Sequence, residues 1–174
     1  TINGARCYIA VSGGLKAKSI FGSKAFFSNI TDSYFLKKND EIKVSKKSKN
    51  KILKWDRFNF KLNRSIEVFK GPEFDLLSSN SKNKLFKNEF TISTNNRMAY
   101  NLVEKLQVGT KSIISSPVLP GSVQLTPSGK MIILHRDCQT TGGYPRILQL
   151  NISSLNYLSQ LKSTDKIKLR LINL

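Results

Sequence analysis

The stretch SVQLTPSGKMIILH at residues 122–135 contains two short apolar segments separated by a turn. SVQLT and MIILH each have the length and the residue pattern of a β-strand. Between them, TPSGK supplies Gly129, which adopts without strain the positive φ that a tight turn requires. The stretch therefore predicts a β-hairpin and a mainly β domain around it.

Strand patterns recur on both sides of this hairpin, and Gly- or Pro-containing turns separate most of them. Helical patterns are few and short: residues 71–79, residues 81–88, and SLNYLSQL at 154–161, for which Ser153 and Ser154 are N-cap candidates. This mixture predicts a mainly β barrel or sandwich with a few short helices. The further predicted strands are residues 7–11, 40–44, 65–69, 90–93, 111–115, 146–152 and 166–172.

Composition and charge limit the class of protein. At 174 residues with 39% hydrophobic residues, the chain can bury one sizeable core without a disulfide or a metal. Cys7 and Cys138 fit no metal-binding spacing, and we expect reduced thiols in a cytoplasmic protein. No segment has the length and apolarity of a membrane-spanning helix. The formal charge of +18 favours non-specific contact with nucleic acids. However, the densest basic run, residues 43–54, lacks interleaved aromatic side chains and clustered arginines, so we expect no nucleic-acid partner.

Three regions follow from the pattern along the chain. Residues 45–63 are rich in lysine and asparagine and predict a solvated connection. Residues 1–44 are then the remnant of a preceding, partial N-terminal β lobe, and residues 64–174 form the barrel domain.

The most unusual segment is HRDCQTTGGYPRI at 135–147. The hydroxyls of Thr140 and Thr141, followed by two glycines, suit a carboxylate, carbonyl or phosphate oxygen. Asp137 can act as a base, or can orient a threonine hydroxyl. The same residues also make a good turn between two strands, with Asp137 in an Asx-turn. The residues alone leave both interpretations open.

Other polar or reactive side chains lie in or near this segment. Tyr144 supplies an aromatic wall with a hydroxyl group. His135 continues an apolar strand, where a histidine is more often a half-buried side chain than a base, and Cys138 as a nucleophile would need that base within reach. Arg97 can hold a carboxylate through two hydrogen bonds. Gln124 interrupts an apolar strand and needs a polar partner if it points inward.

Five motifs, in the same order, resemble the family of 5-oxoprolinase C subunits, also known as allophanate hydrolase subunit 2, biotin-dependent carboxyltransferase or KipI antagonist. The resemblance covers essentially the whole chain, and its most specific part is residues 120–124 with residues 137–147. It implies a cyclophilin-like β-barrel and, before Gly4, a further N-terminal segment of the family's chain. The motifs are GARCYIAVSGGL, RSIEVFKGPEFDLL, NRMAYNL, PVLPGSVQLTPSGKMIILHRDCQTTGGYPRI and LKSTDKIKL.

The resemblance also implies an activity. Members of this family work beside two partner proteins, a B-like (KipI-like) one and an A-like one, and open 5-oxoproline to glutamate with ATP and without a metal. One alternative is a carboxyltransferase domain that moves a carboxyl group from carboxybiotin, held on a separate carrier, to urea. Another is a non-catalytic module that binds its B-like partner.

Residue by residue, the resemblance implies a site made mostly of the loop at 137–146. As catalytic residues it implies Asp137, Gln139, Thr140 and Thr141. For substrate binding it implies Arg97, Tyr100, Gln124, Gly142, Gly143, Tyr144 and Arg146. The chain departs from the family at Asn96, Ala99, Asn101, Cys138 and Arg146, where members usually have Asp, Gly, Arg, Arg and Lys. The changes at Asn96, Asn101 and Cys138 alter the charge near the implied site.

Overall fold

The structure is a computed structural model that describes residues 4–27, 29–31, 36–45, 65–107 and 112–173. The chain divides into two compact units, one of Cys7–Phe58 and one of Thr1–Arg6 with Asn59–Leu174. The predicted connection at 45–63 lies outside the described residues except for Ser45. The predicted division into a 1–44 lobe and a 64–174 domain stays a prediction.

Short strands build the larger unit. In chain order they are β1 (Ser65–Lys70), β2 (Glu89–Asn95), β3 (Ala99–Lys105), β4 (Ser116–Pro117), β5 (Ser122–Leu125), β6 (Lys130–Leu134), β7 (Thr141–Gly142), β8 (Arg146–Leu150) and β9 (Lys166–Leu171). Among the described residues, seven of these strands close into a barrel in the order β1-β8-β5-β6-β3-β2-β9. The remaining two, β4 and β7, form a separate two-stranded sheet. The predicted mainly β barrel is therefore confirmed.

The opening stretch of the sequence forms the hairpin β5–β6. The two strands pair antiparallel, with Val123 opposite Ile133, and Gly129 in the turn has φ 81°. The other barrel pairs are also antiparallel, except that β1 and β9 run parallel with Ser65 opposite Lys168. This parallel contact joins strands that are distant in sequence and closes the barrel.

Alternating side chains of the barrel strands fill its interior. On β1 the inward residues are Ile66 and Val68, and both are completely buried. Burial of an aliphatic side chain of this size contributes about 1.5–3 kcal/mol, so the barrel core is the main source of stability. The core also includes Phe90, Ile92, Tyr100, Leu102, Val123, Leu125, Met131, Ile133, Ile147, Leu148, Ile167 and Leu169.

The helices are short and each begins at a polar cap. α1 (Ser79–Lys87) begins after Ser78, whose side chain accepts a hydrogen bond from the Ser81 amide. α2 (Ile152–Leu158) begins after Asn151, whose Oδ1 accepts from the Ser154 amide at 2.7 Å. The predicted caps Ser153 and Ser154 are therefore wrong, because Asn151 leaves β8 with extended dihedrals and satisfies the first turn itself. No helix in the described part of the chain is long and apolar enough to cross a membrane.

Several strand predictions are wrong. Residues 7–11 form no strand, and residues 40–44 contribute only the isolated bridge between Val44 and Leu15. Residues 112–115 also form no strand, since Ile114 is 92% exposed and the segment runs over the outside of the barrel. Among the described residues, none of these segments pairs with another strand to form a ladder. The pattern does not predict β3, because the polar residues 95–97 before it conceal the alternation of Tyr100 and Leu102.

The smaller unit exposes much apolar surface. None of its described residues, which lie between Cys7 and Ser45, is buried. Tyr8, Ile9 and Phe21 are 78%, 85% and 95% exposed. The described part of this unit therefore has no hydrophobic core of its own.

Candidate functional site

Backbone hydrogen bonds from neighbouring segments fix the loop between β6 and β8. The Asp137 amide donates to the Arg97 carbonyl at 2.9 Å, and the Val118 amide donates to the Thr140 carbonyl at 2.9 Å. Farther along, β7 pairs with β4, with Thr141 opposite Pro117. The loop is thus held on both sides although much of its length is exposed.

Arg97 and Asp137 form an ion pair at the start of this loop. Arg97 donates from Nε to Oδ2 at 2.5 Å and from Nη2 to Oδ1 at 3.0 Å. The two side chains are 65% and 45% exposed. The hydrogen bond from the Arg97 guanidinium lowers the pKa of Asp137 below its usual value. Asp137 is therefore an anion at neutral pH.

Three consecutive polar side chains follow the ion pair. Gln139, Thr140 and Thr141 are all exposed. They place one amide and two hydroxyl groups on the same loop, with donor and acceptor atoms available to a ligand. Tyr144, which is 38% exposed, lies two residues beyond the strand β7.

Gln124 supports this loop from the barrel side. It is 1% exposed, but its neighbours Val123 and Leu125 are the β5 residues in the barrel core, so Gln124 points to the opposite face of the strand, beneath the loop. Its Nε2 donates to the Tyr144 carbonyl and its Oε1 accepts from Gln139 Nε2, both at 3.4 Å. A Cβ on Gly142 would lie 2.5 Å from the same Nε2. A side chain at position 142 would therefore force the Gln124 amide to move.

Tyr100 does not lie on the loop between β6 and β8. It is completely buried in the barrel core, and its hydroxyl accepts a hydrogen bond from Arg6 Nη1 at 2.6 Å. Arg6 Nη1 also donates to the carbonyl of Ser159. The structure thus places Tyr100 in the core instead of among the exposed residues of the loop.

The Arg146 side chain forms hydrogen bonds with other residues of the protein. It donates from Nε and Nη2 to the two carboxylate oxygens of Glu73, at 2.9 and 2.7 Å, and from Nη1 to the Pro117 carbonyl at 2.7 Å. The Arg146 and Glu73 side chains are 19% and 16% exposed. The hydrogen bond from Arg146 lowers the pKa of Glu73, and the same bond raises the pKa of Arg146.

His135 and Cys138 do not form an evident catalytic pair. His135 is 6% exposed, lies against Tyr100, and neither ring nitrogen has a hydrogen-bond partner of normal geometry. Burial, followed by the charges of Arg6 and Arg136, lowers the pKa of His135, and nearby backbone groups only partly oppose this. Burial raises the pKa of the Cys138 thiol, which disfavours the thiolate that a nucleophile requires. In the described part of the chain, no three His, Cys, Asp or Glu side chains are grouped to hold a metal.

Sequence reasoning did not identify Glu73 and Arg6 as the partners of Arg146 and Tyr100. Glu73 is 73 positions from Arg146, and Arg6 is 94 positions from Tyr100. Pairing of β1 with β8 brings Glu73 to Arg146, whereas Arg6 reaches Tyr100 from outside the barrel strands. Such pairs are invisible to motif analysis of one sequence, because no local spacing links their members.

The structure thus defines a class of protein: a mainly β, closed-barrel domain with an exposed loop of amide, hydroxyl and ion-paired side chains. The family profile described as "Carboxyltransferase domain, subdomain A and B" matches residues 1–171. The chain belongs to this family.

Two relatives of known name, both C subunits of 5-oxoprolinase, are similar to the chain. It is 28% identical over 166 residues to the one from Escherichia coli (strain K12), a match that covers 91% of this chain and 54% of that protein. It is 33% identical over 112 residues to the one from Haemophilus influenzae, covering 63% of this chain and 36% of that protein. The chain thus spans about half, or less, of the length of these relatives.

Solved structures share the fold. A crystal structure of TTHA0988 superposes with a TM-score of 0.68 at 21% identity, covering 91% of this chain and 32% of that chain. The Kluyveromyces lactis urea carboxylase superposes with a TM-score of 0.59 at 18% identity, covering 63% of this chain and 11% of that chain. At these identities the likeness establishes the fold alone.

Proposed function

We propose that this chain is the C-type component of a cytoplasmic 5-oxoprolinase complex, which opens 5-oxoproline to glutamate together with A-like and B-like partner proteins. The observation that carries the proposal is the exposed series of Gln139, Thr140 and Thr141 beside the Arg97–Asp137 ion pair. The two relatives named as 5-oxoprolinase C subunits support the same assignment.

The loop suits the chemistry of a lactam, which presents a carbonyl oxygen and an N–H group. Gln139 donates from Nε2 to Gln124, so its Oε1 is oriented to accept the ring N–H. The hydroxyls of Thr140 and Thr141 donate to the carbonyl oxygen. When water adds to the carbonyl carbon, that oxygen gains negative charge and the two donors bind it more strongly.

The ion pair suits the other end of 5-oxoproline, its carboxylate. A guanidinium binds a carboxylate through charge-assisted hydrogen bonds. Asp137 holds the Arg97 guanidinium through two such bonds. Because its pKa is lowered, Asp137 is also a weak base at neutral pH. We therefore assign Asp137 to positioning Arg97 and not to removing a proton.

ATP fits the glycine pair poorly. Glycines bind phosphate best where a left-handed residue turns successive N–H groups toward one point. Neither Gly142 nor Gly143 has a positive φ. Gly142 pairs with Ser116 across β4–β7, and the Gly143 carbonyl accepts from the Ile113 amide. We therefore assign ATP to a partner protein.

Two other functions have some support. Carboxyl transfer from carboxybiotin, on a separate carrier, to urea is favoured by the description of the family, and urea presents the same carbonyl and N–H groups as a lactam. A purely partner-binding role is favoured by Ile114 and Leu119, which flank the strand β4 and are 92% and 65% exposed.

Reconstitution with the two partner proteins tests the proposal. The full chain, co-expressed with these partners, is expected to release glutamate from 5-oxoproline only when ATP is present. Thr141→Ala should lower kcat by about 10- to 1,000-fold, and Thr141→Ser should retain most of it. Ser153→Ala, an exposed hydroxyl loss on α2, is the matched control and should leave the rate unchanged.

A folded complex that releases no glutamate would overturn the proposal. ATP-dependent carboxylation of urea with a biotin carrier would then support the carboxyltransferase. Stable complex formation without either reaction would support the binding module.

A further inference from the structure

Arg146 connects three segments that are far apart in the sequence. Its guanidinium binds Glu73, at the start of the 3-10 turn Phe74–Leu76, and the carbonyl of Pro117 in β4. Its own backbone belongs to the first residue of β8. One side chain therefore ties the barrel wall, the turn and the outer strand β4 together.

Glu73 and Arg146 are joined by both side-chain and backbone hydrogen bonds. Besides the two side-chain bonds, the Arg146 amide donates to Glu73 Oε2 at 2.8 Å and the Glu73 amide donates to the Arg146 carbonyl at 3.2 Å. Both side chains are mostly buried, so their attraction is less weakened by water than that of a surface pair. Gly71 permits this approach, because any Cβ there would overlap the Arg146 carbonyl oxygen.

From Pro117 the connection continues to the candidate site. Pro117 lies opposite Thr141 and Ser116 lies opposite Gly142 in the β4–β7 pair. The next residue, Val118, donates its amide to the Thr140 carbonyl at 2.9 Å. The carbonyl held by Arg146 thus belongs to the strand that fixes the backbone of Thr140 and Thr141.

We propose that Glu73 and Arg146 are positioning residues for the Thr140–Gly142 segment: Glu73 fixes the guanidinium, and the guanidinium fixes β4 and, through it, β7. Glu73 is a new member of the site, and Arg146 acts through Pro117 instead of touching the substrate. The link to catalysis rests on the proposed function, but the link to loop geometry does not.

Hydrogen exchange on the full chain tests the geometry directly. In Glu73→Gln the Val118 amide is expected to exchange about tenfold faster than in the wild type, because opening of β4–β7 becomes easier. The Ile92 amide, which bonds the Asp165 carbonyl on another wall of the barrel, should be unchanged. Asp75→Asn, two residues from Glu73, is the matched control. The Asp75 side chain pairs with Lys82 and is 88% exposed. The Val118 amide should therefore exchange in this variant as in the wild type.

Two further variants guard against a folding defect. Glu73→Asp and Arg146→Lys keep the charges but shorten or reshape the contact, and both should give intermediate exchange at Val118. Unchanged exchange at Val118 in a folded Glu73→Gln protein would overturn the proposal. An equal rise at Ile92 would also overturn it, because the pair would then serve global stability only.

Activity separates this inference from the proposed function. In the active complex, Glu73→Gln should lower kcat with little change in KM. An Arg146→Lys protein with a raised KM and normal Val118 exchange would assign Arg146 to the substrate and overturn the inference. Two results together would refute the proposed function and leave the positioning role in place. These are faster Val118 exchange in Glu73→Gln and no release of glutamate by the wild-type complex.

Discussion

Gly142 lies so close to Gln124 that a Cβ on the glycine would stand 2.5 Å from the amide nitrogen Nε2. Gln124 is almost completely buried and reaches the Tyr144 carbonyl and the Gln139 side chain by two bonds of 3.4 Å. The loop therefore rests on a buried amide, and any side chain larger than glycine at position 142 would push that amide out of place.

Gly142→Ala should displace Gln124 and cost about 1–3 kcal/mol of stability, because a buried amide would lose a partner. Gly143→Ala is the control, since its Cβ would meet the Ile113 carbonyl oxygen at 3.4 Å, an ordinary contact distance. Urea denaturation of both variants measures the difference. Equal stabilities would show that Gln124 does not support the loop.

Asp137→Asn should change stability by less than about 1 kcal/mol, because the ion pair with Arg97 is exposed and screened. The glutamate-forming activity of the complex should fall by about 10- to 100-fold, since the guanidinium would lose its fixed position. Thermal unfolding and steady-state kinetics test the two parts. A large loss of stability with normal kcat would make the pair structural.

His135→Leu should stabilise the protein by about 1 kcal/mol, because the imidazole is buried and neither nitrogen has a hydrogen-bond partner of normal geometry. The pKa of His135 is lowered in the folded state, so the unfolded chain binds the proton more readily. Stability of the wild type should therefore be full above about pH 6.5 and decrease as the pH falls below that value.

The His135→Leu protein should lose this dependence, while the carboxylate contribution at lower pH remains. Denaturation midpoints between pH 8 and pH 5 measure both effects. A wild-type curve that is flat down to pH 5 would contradict the argument.

Tyr100→Phe should reduce stability by about 0.5–1.5 kcal/mol through loss of the hydrogen bond from Arg6. Because Tyr100 is completely buried, KM for 5-oxoproline should stay within about twofold of the wild type if Tyr100 contributes only packing. A rise in KM without a change in stability would instead return Tyr100 to the substrate site, as the resemblance implies.

Local pattern was sufficient for the barrel strands other than β3, including the β5–β6 hairpin, because alternation and a turn glycine act within a few residues. It failed at residues 7–11 and 112–115, where the apolar pattern is present but no strand in the described part of the chain pairs with it. It also failed at β3, whose inward residues Tyr100 and Leu102 follow a polar segment. Pairing, and not pattern, decides whether such a segment becomes a strand.

The site divides in the same way. The sequence indicated the loop from Asp137 to Tyr144 as a candidate site. The structure adds that Arg97 forms an ion pair with Asp137 and that Gln124 lies beneath the loop. Sequence reasoning could not distinguish exposed loop residues from the buried Tyr100 or the engaged Arg146. Nothing in it pointed to Glu73.

The sequence by itself determined the mainly β class, the hairpin at 122–135 and the polar loop that follows it, because these depend on periodicity and turn chemistry between near neighbours. Only the tertiary structure decided which polar groups face solvent and which are held inside. That outcome depends on barrel closure, which brings β1 beside β9 and Glu73 beside Arg146 across long separations in the chain. The buried Glu73–Arg146 contact supports the loop, and the β1–β9 contact completes the barrel core.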